Sequence, residues 1–390
     1  MTTRRINHLQ TMLGPLLGWL SNYNSARAQA GPDACDFAFG NPHDMPLPGF
    51  GPTLAKHAAP EHKDWYAYKT NEAASQAHVA RTLQARMGVA FEPENISMTN
   101  GAAGALHIAF NTILDPGDEV IINLPPWFLY ESFIAAAGGV TVKVPVKADD
   151  YDLDVAAIAA AITPRTRAVV VNSPNNPTGR IYAAATLQAL AAALSEASAR
   201  HGRPIYLISD EAYNRILFDG RPFISPTLFY PNSLLIYTYG KTLLTPGQRL
   251  GYIALPPGMP GRVELHQAIE LAQFVNGFGF PSALMQYAMP DLENQIIDLE
   301  LLQEKRDRMV GALRRFGYEM RVPEGTFYLL VRSPQADDAA FVQRLIGENI
   351  FCLPGSVCEI PGHFRISLTA NEGMIERALP GFARAIAATG

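Results

Sequence analysis

The stretch "SLLIYTYGKTLLTPGQRLGYIAL", residues 233–255, decides how this chain folds. Residues 234–237 form an unbroken apolar run, the pattern of a strand buried on both faces. A lysine, Lys241, follows almost at once inside a Gly-flanked turn. Eight residues later Arg249 opens a second apolar run, 250–255. A lysine at the end of a core strand is partly buried, and burial disfavours its charged form. A neutral amine is a nucleophile that forms Schiff bases with carbonyl compounds. The "GKT" at 240–242 has the tail of a phosphate-binding P-loop, but Leu235 stands where that motif requires glycine.

Working outward, the same kind of run recurs. Strands are expected at 95–98, 119–124, 140–146, 168–172, 205–209, 234–237 and 250–255, with Ala/Leu-rich helices such as 102–113 and 184–199 between several of them. Near-continuous apolar strands alternating with helices predict an α/β fold, with a mainly parallel seven-stranded sheet between helices. Beyond about residue 281 the pattern changes. A helix near 295–316 leads to "GTFYLLV", a helix at 338–348 leads to "FCLPG" and "HFRISLT", and a last helix ends the chain. The expected division is a large domain over 46–280 and a smaller α/β domain built from both chain ends, 1–45 and 281–390.

Composition bounds the function. The 390 residues are 48% hydrophobic and 17% charged, with a net charge of −5, so no basic face for nucleic acid is implied. Three cysteines with no Cys-x-x-Cys pair make neither a disulfide framework nor a zinc signature, and no metal site is expected. They fit a reducing, cytoplasmic setting. No apolar run reaches the ~18–20 residues of a membrane span. Near the N-terminus, "MLGPLLGWL" follows Arg4 and Arg5 as in a signal peptide. Pro15 interrupts it, and an amphipathic helix packed on the smaller domain is the expectation.

Ligands of open α/β sheets bind beyond the carboxyl ends of the strands. Five runs end there in small, polar or aromatic clusters: "TNGAAGAL", "PPWFLY", "NSPNNPTG", "DEAY" and "GKT". Gly101, Ala102 and Ala103 open a helix, and its N-terminus with close backbone approach favours a phosphate. Alone, that pattern equally describes a tight helix start. Arg249 offers a fixed fork of donors for the same anion. Asp210 ends a buried strand, where an unpaired charge is costly. Trp127 offers a flat face. A phosphate cradle, a stacking face, a buried carboxylate and a Schiff-base lysine together describe a site for pyridoxal 5′-phosphate, with the carboxylate on the pyridine nitrogen.

With these residues the chain resembles fold-type I pyridoxal-phosphate enzymes, the class I/II aminotransferases. "NNPTG", "SDEAY" and the lysine with arginine eight positions on occur in the family's order, and the likeness runs from "FGNPHD" to "FRISL". The resemblance implies that Lys241 carries the cofactor and shuttles a proton, and that Asp210 pairs with the ring nitrogen. Asn176 and Tyr213 would bond the ring's oxygen, and Trp127 would stack. Ala102, Ala103, Thr238 and Arg249 would hold the phosphate. Arg365 would grip the substrate α-carboxylate, with Gly40 leaving room beside it. Tyr66 would reach the phosphate of a neighbouring subunit, implying a homodimer with shared sites. The family glycine five residues after that tyrosine is Asn71 here, and Ser75–Gln76 replaces its usual Leu–Arg, so Tyr68 is a rival for the role.

The implied activity is transfer of an α-amino group between an L-amino acid and a 2-oxo acid. The alternatives on the same cofactor are a C–S β-lyase, a decarboxylase or an oxidase. A non-enzymatic regulator on this fold would need an added DNA-binding segment, which the first 45 residues do not supply. No Lys or Arg occurs at 271–284, while Phe274, Phe278 and Phe280 do, so an apolar or aromatic substrate side chain is expected over aspartate.

Overall fold

The structure is a computed structural model that describes residues 2–279 and 281–389. All seven expected strands lie in one sheet. Across it they run Ile96–Thr99, Gly251–Ala254, Ser233–Thr238, Tyr206–Asp210, Thr166–Asn172, Glu119–Leu124 and Val140–Pro145. Gly251–Ala254 is antiparallel to both neighbours, and every other pairing is parallel.

The continuous apolar run of Ser233–Thr238 has a simple cause: both of its faces are covered. Leu234 and Ile236 point to a layer holding Leu106, Ile108 and Phe110 of helix Gly101–Ile113. Leu235 and Tyr237 point the other way, to Val79, Leu83, Met285 and Met289. Burial of each such side chain contributes about 1.5–3 kcal/mol. Val140–Pro145, at the sheet edge, is mostly half-exposed and carries Lys143, as edge strands tolerate.

The smaller part holds an antiparallel sheet ordered Leu353–Pro354, His363–Ser367, Tyr328–Arg332, and a parallel pair, Cys35–Asp36 with Ile350–Phe351. Helices Leu299–Phe316, Asp338–Gly347 and Glu372–Ala387 bury Met309, Leu313, Phe341 and Phe382 against it. The first of these begins four residues later than expected, because the Asp298 carboxylate accepts the Leu301 N–H and caps it there.

The N-terminal stretch is two helices, Arg4–Met12 and Gly14–Ala30, where one was expected. Pro15 lacks the N–H that a helix interior needs and sits in the first turn of the second helix, so the chain restarts there. The second helix packs Trp19 and Tyr23 on Phe39, and Tyr23 on Phe351. The first lies against helix Tyr130–Ala136, beside the larger sheet. No described helix is long and apolar enough to cross a membrane.

Candidate active site

The sheet topology explains why a lysine and an arginine eight positions apart meet. Ser233–Thr238 ends at one edge of the sheet. Its neighbour Gly251–Ala254 runs the opposite way and therefore begins there, with Thr238 paired to Gly251. Lys241, just past the first strand, and Arg249, just before the second, arrive at the same rim. Lys241 sits in the single turn Tyr239–Thr242, which is pinned on both sides. Tyr237 Oη and Thr242 Oγ1 share a hydrogen bond at 2.9 Å, and the Thr242 carbonyl accepts the Ile297 N–H at 2.9 Å.

At that rim is a cavity of about 300 Å³. Gly40, Ala102, Ala103, Trp127, Asn176, Asp210, Tyr213, Thr238, Lys241, Arg249 and Arg365 all line it. Gly101 lies directly behind, with φ +73°, and a Cβ there would stand 3.0 Å from the Arg249 guanidinium. At Gly40 a Cβ would stand 2.6 Å from the Phe327 ring and 2.7 Å from the Tyr328 hydroxyl, so any side chain there would displace these two buried rings. A larger groove of about 1130 Å³ lies elsewhere; it is lined by no lysine, and its Arg332 is paired with Glu319.

One end of the cavity is an anion seat. Helix Gly101–Ile113 begins there with no side-chain cap, because Asn100 turns to the Phe278 carbonyl instead. Arg249 donates to the Pro246 carbonyl at 2.7 Å and forms no ion pair among the described residues, while loss of hydration pushes its pKa down. At the other end is Asp210, 4% exposed. It accepts the Tyr130 hydroxyl at 2.5 Å and the Ala212 N–H at 3.2 Å. Burial raises the Asp210 pKa, and these hydrogen bonds and the Lys241 charge oppose the rise. Lys241 lies between the ends, its Nζ 5.8 Å and 5.7 Å from the Tyr213 and Phe327 ring centres.

Facing this line is Arg365, 2% exposed. Nη1 donates to Asn176 Oδ1 and Nη2 to the Ala38 carbonyl, both at 2.9 Å. Nε is buried with no hydrogen-bond partner. The guanidinium lies 4.0 Å over the Tyr328 ring, and none of its hydrogen bonds goes to a carboxylate. A buried cation held only by neutral groups suits an anionic ligand.

Tyr66 is not in this cavity. It is 56% exposed, and its hydroxyl donates to the Ala58 carbonyl. Phe274 stands on an exposed helix face, Phe278 lines a neighbouring hollow with His107 and Phe133, and Phe280 is outside the described residues. Tyr130, Asn172, Phe39, Phe128 and Tyr328 also line or back the cavity and were not expected there. Asn172 donates to the Asp210 carbonyl and accepts the Asn176 N–H, tying two rim segments together. Its place at the end of an apolar run was the available signal. Tyr130 gave none beyond being one more aromatic in "PPWFLY".

Residues 34–382 match the family described as aminotransferase class I and II. The chain is 32% identical to the "Probable aspartate/prephenate aminotransferase" of Thermus aquaticus and 31% identical to the aspartate/prephenate aminotransferase of Thermus thermophilus, each match covering 91% of this chain and 92% of the relative. Among solved structures, an aminotransferase from Eubacterium rectale superposes with a TM-score of 0.90 at 30% identity over 94% of both chains. A single-mutant aspartate aminotransferase of Thermus thermophilus does so at 0.83 and 28% over 99% of both. Fold, rim chemistry and relatives agree, and the chain belongs to the class I and II aminotransferases, as a transaminase.

Proposed function

We propose that this transaminase uses pyridoxal 5′-phosphate held by Lys241, and moves the α-amino group of an L-amino acid with a neutral, apolar or aromatic side chain to a 2-oxo acid. The observation that carries the cofactor reading is the pair of complementary ends: a solvent-facing arginine without a carboxylate beside an uncapped helix N-terminus, and a buried carboxylate opposite. When bound, the cofactor supplies an electron sink conjugated to the substrate α-carbon. Arg249, Thr238 and the backbone at Gly101, Ala102 and Ala103 would hold its phosphate. Asp210, backed by Tyr130, would face the ring nitrogen, and Trp127 would cover the ring. Because Asn176 Oδ1 is taken by Arg365, its Nδ2 is the donor left for the ring's oxygen, next to the Tyr213 hydroxyl. Lys241 Nζ would then take and return the proton at the α-carbon, while Arg365 fixes the α-carboxylate.

The lining supports the neutral side chain. Its cations are Lys241, Arg249 and Arg365, and each already has a role. The remaining wall includes Phe39, Trp127, Phe128 and Tyr328. The relatives named for aspartate and prephenate favour the second reading, a substrate with a further carboxylate. Initial rates with phenylalanine, leucine and aspartate, each against 2-oxoglutarate, separate the two. The proposal expects the first two to exceed aspartate in kcat/KM, and the reverse order overturns the side-chain assignment.

Val263, Leu271 and Val275 are 57%, 63% and 68% exposed on helix Arg262–Val275, an apolar face suited to a second copy of the chain. The division into 46–280 and the two ends is favoured by the pairing of Cys35–Asp36 with Ile350–Phe351. Cys35, Cys352 and Cys358 are free and buried, which favours a reducing, cytoplasmic setting.

A further inference from the structure

Arg365 is anchored on two sides, and the second anchor leads out of the cavity to the N-terminal helix. Its Nη2 donates to the Ala38 carbonyl at 2.9 Å. The Ala38 N–H donates to Asp36 Oδ1 at 3.1 Å. The other carboxylate oxygen, Oδ2, accepts the Tyr23 hydroxyl at 2.6 Å and Arg27 Nε at 3.3 Å. Tyr23 and Arg27 are four residues apart on helix Gly14–Ala30 and therefore share a face. Asp36 is 9% exposed, so its charge is held largely by these groups. The Tyr23 ring also packs edge-on against Phe39, which lines the cavity, at 5.5 Å. Neither Tyr23 nor Asp36 lines the cavity itself.

We propose that Tyr23 and Asp36 are positioning residues for substrate binding: through the backbone of Ala38, its N–H on Asp36 and its carbonyl on Arg365, they aim the Arg365 guanidinium at the substrate α-carboxylate. This inference rests on the reading of Arg365 as the carboxylate fork. With the chain of bonds intact, Nη1 and Nη2 are fixed from opposite sides and the fork is set before substrate arrives. When it is cut, the Ala38 backbone loses its side-chain anchor, and the direction of the fork is set by Asn176 and the Tyr328 ring. Tyr23, Asp36 and Ala38 make none of their hydrogen bonds to the residues of the cofactor seat, so cofactor retention does not depend on them.

The test compares Tyr23→Phe, Asp36→Asn, Arg365→Gln and the Tyr23→Phe/Arg365→Gln double variant in the cofactor-loaded enzyme. KM and kcat are measured for the preferred amino acid, cofactor content is read by absorbance, and binding of hydrocinnamate, a carboxylate without an amino group, is followed by calorimetry. Tyr23→Phe and Asp36→Asn are expected to raise KM and weaken hydrocinnamate by about fivefold to tenfold, with kcat within about twofold, and Tyr23→Phe adds nothing once Arg365 is Gln. Cofactor content stays unchanged in Tyr23→Phe and Asp36→Asn. An unchanged KM with only a lower melting temperature overturns the inference, as does a Tyr23 effect of equal size in the Arg365→Gln background. If Arg365→Gln itself leaves KM unchanged, the reading of Arg365 falls and this inference falls with it. If Arg365→Gln raises KM while Tyr23→Phe and Asp36→Asn do not, only the positioning role fails.

Discussion

Arg365 and Asn176 lie 189 residues apart in the chain and are joined by one hydrogen bond, Nη1 to Oδ1 at 2.9 Å. The bond ties the smaller sheet to the rim of the larger one. It also leaves each partner one free function: a guanidinium edge for a carboxylate, and an amide N–H₂ for an oxygen.

Replacing Arg365 with lysine keeps the charge and removes the fork. Bidentate binding and the stacking on Tyr328 are both lost. Steady-state kinetics should show KM for the amino acid raised by about tenfold to a hundredfold, the scale of one lost hydrogen bond to a charged group. An unchanged KM would mean that the carboxylate binds elsewhere.

Tyr130→Phe removes the hydroxyl that Asp210 accepts at 2.5 Å, leaving the carboxylate with the Ala212 N–H. A hydrogen bond to a charged group contributes about 1.5–3 kcal/mol, so cofactor affinity should fall by roughly tenfold to a hundredfold. Equilibrium titration of the cofactor-free protein with pyridoxal phosphate measures this. The ring should still fill its site, so the melting temperature should move little.

The pH dependence of the cofactor-free protein follows from Asp210. Burial raises its pKa in the folded state, so the folded state holds a proton that the unfolded chain has already lost. That stabilisation is complete below the ordinary carboxylate pKa and disappears as pH rises through the raised value. Asp210→Asn removes the dependence. Melting curves of wild type and variant should diverge with increasing pH in the variant's favour by about 2–4 °C and then run parallel. Curves that stay parallel from pH 4 to 8 would contradict it.

Much of this site was legible in the sequence, for an identifiable reason. Lys241, Arg249, Asp210 and Asn176 sit where apolar runs begin or end, and the end of a core strand is a place a sequence marks clearly. The seven strands were legible for the same reason, since a strand covered on both faces is a continuous apolar run. Tyr130 was not, because its partner Asp210 is 80 positions away and only the packing of helix Tyr130–Ala136 brings them together. The break at Pro15 was visible, but its consequence, two helices lying on different parts of the fold, depends on tertiary contacts. Tyr23 and Asp36 carry no local signature, and their bond exists because Cys35–Asp36 adds to Ile350–Phe351.

Lys143 bridges two carboxylates, Glu131 at 2.8 Å and Glu359 at 2.9 Å, joining the edge strand to helix Tyr130–Ala136 and to the turn before His363–Ser367. Burial lowers its pKa, but the two carboxylates outweigh that and the net shift is upward. The stabilisation is therefore present below the ordinary lysine pKa and lost as pH rises through the raised value. All three side chains are about one-third exposed, so solvent screens the pairs strongly. Lys143→Met should cost less than about 1 kcal/mol in urea unfolding at low salt. At 1 M NaCl the difference should vanish.

Whether Lys241 holds a cofactor through which an amino group is transferred can be decided by one titration. The purified, cofactor-loaded protein is mixed with single amino acids in the absence of any 2-oxo acid while its visible absorption is followed. The yellow absorption should fall as one 2-oxo acid is released per site, return on adding a 2-oxo acid, and do neither in Lys241→Ala. A protein that takes up no coloured cofactor, or a Lys241→Ala variant that exchanges amino groups as fast as wild type, would contradict it.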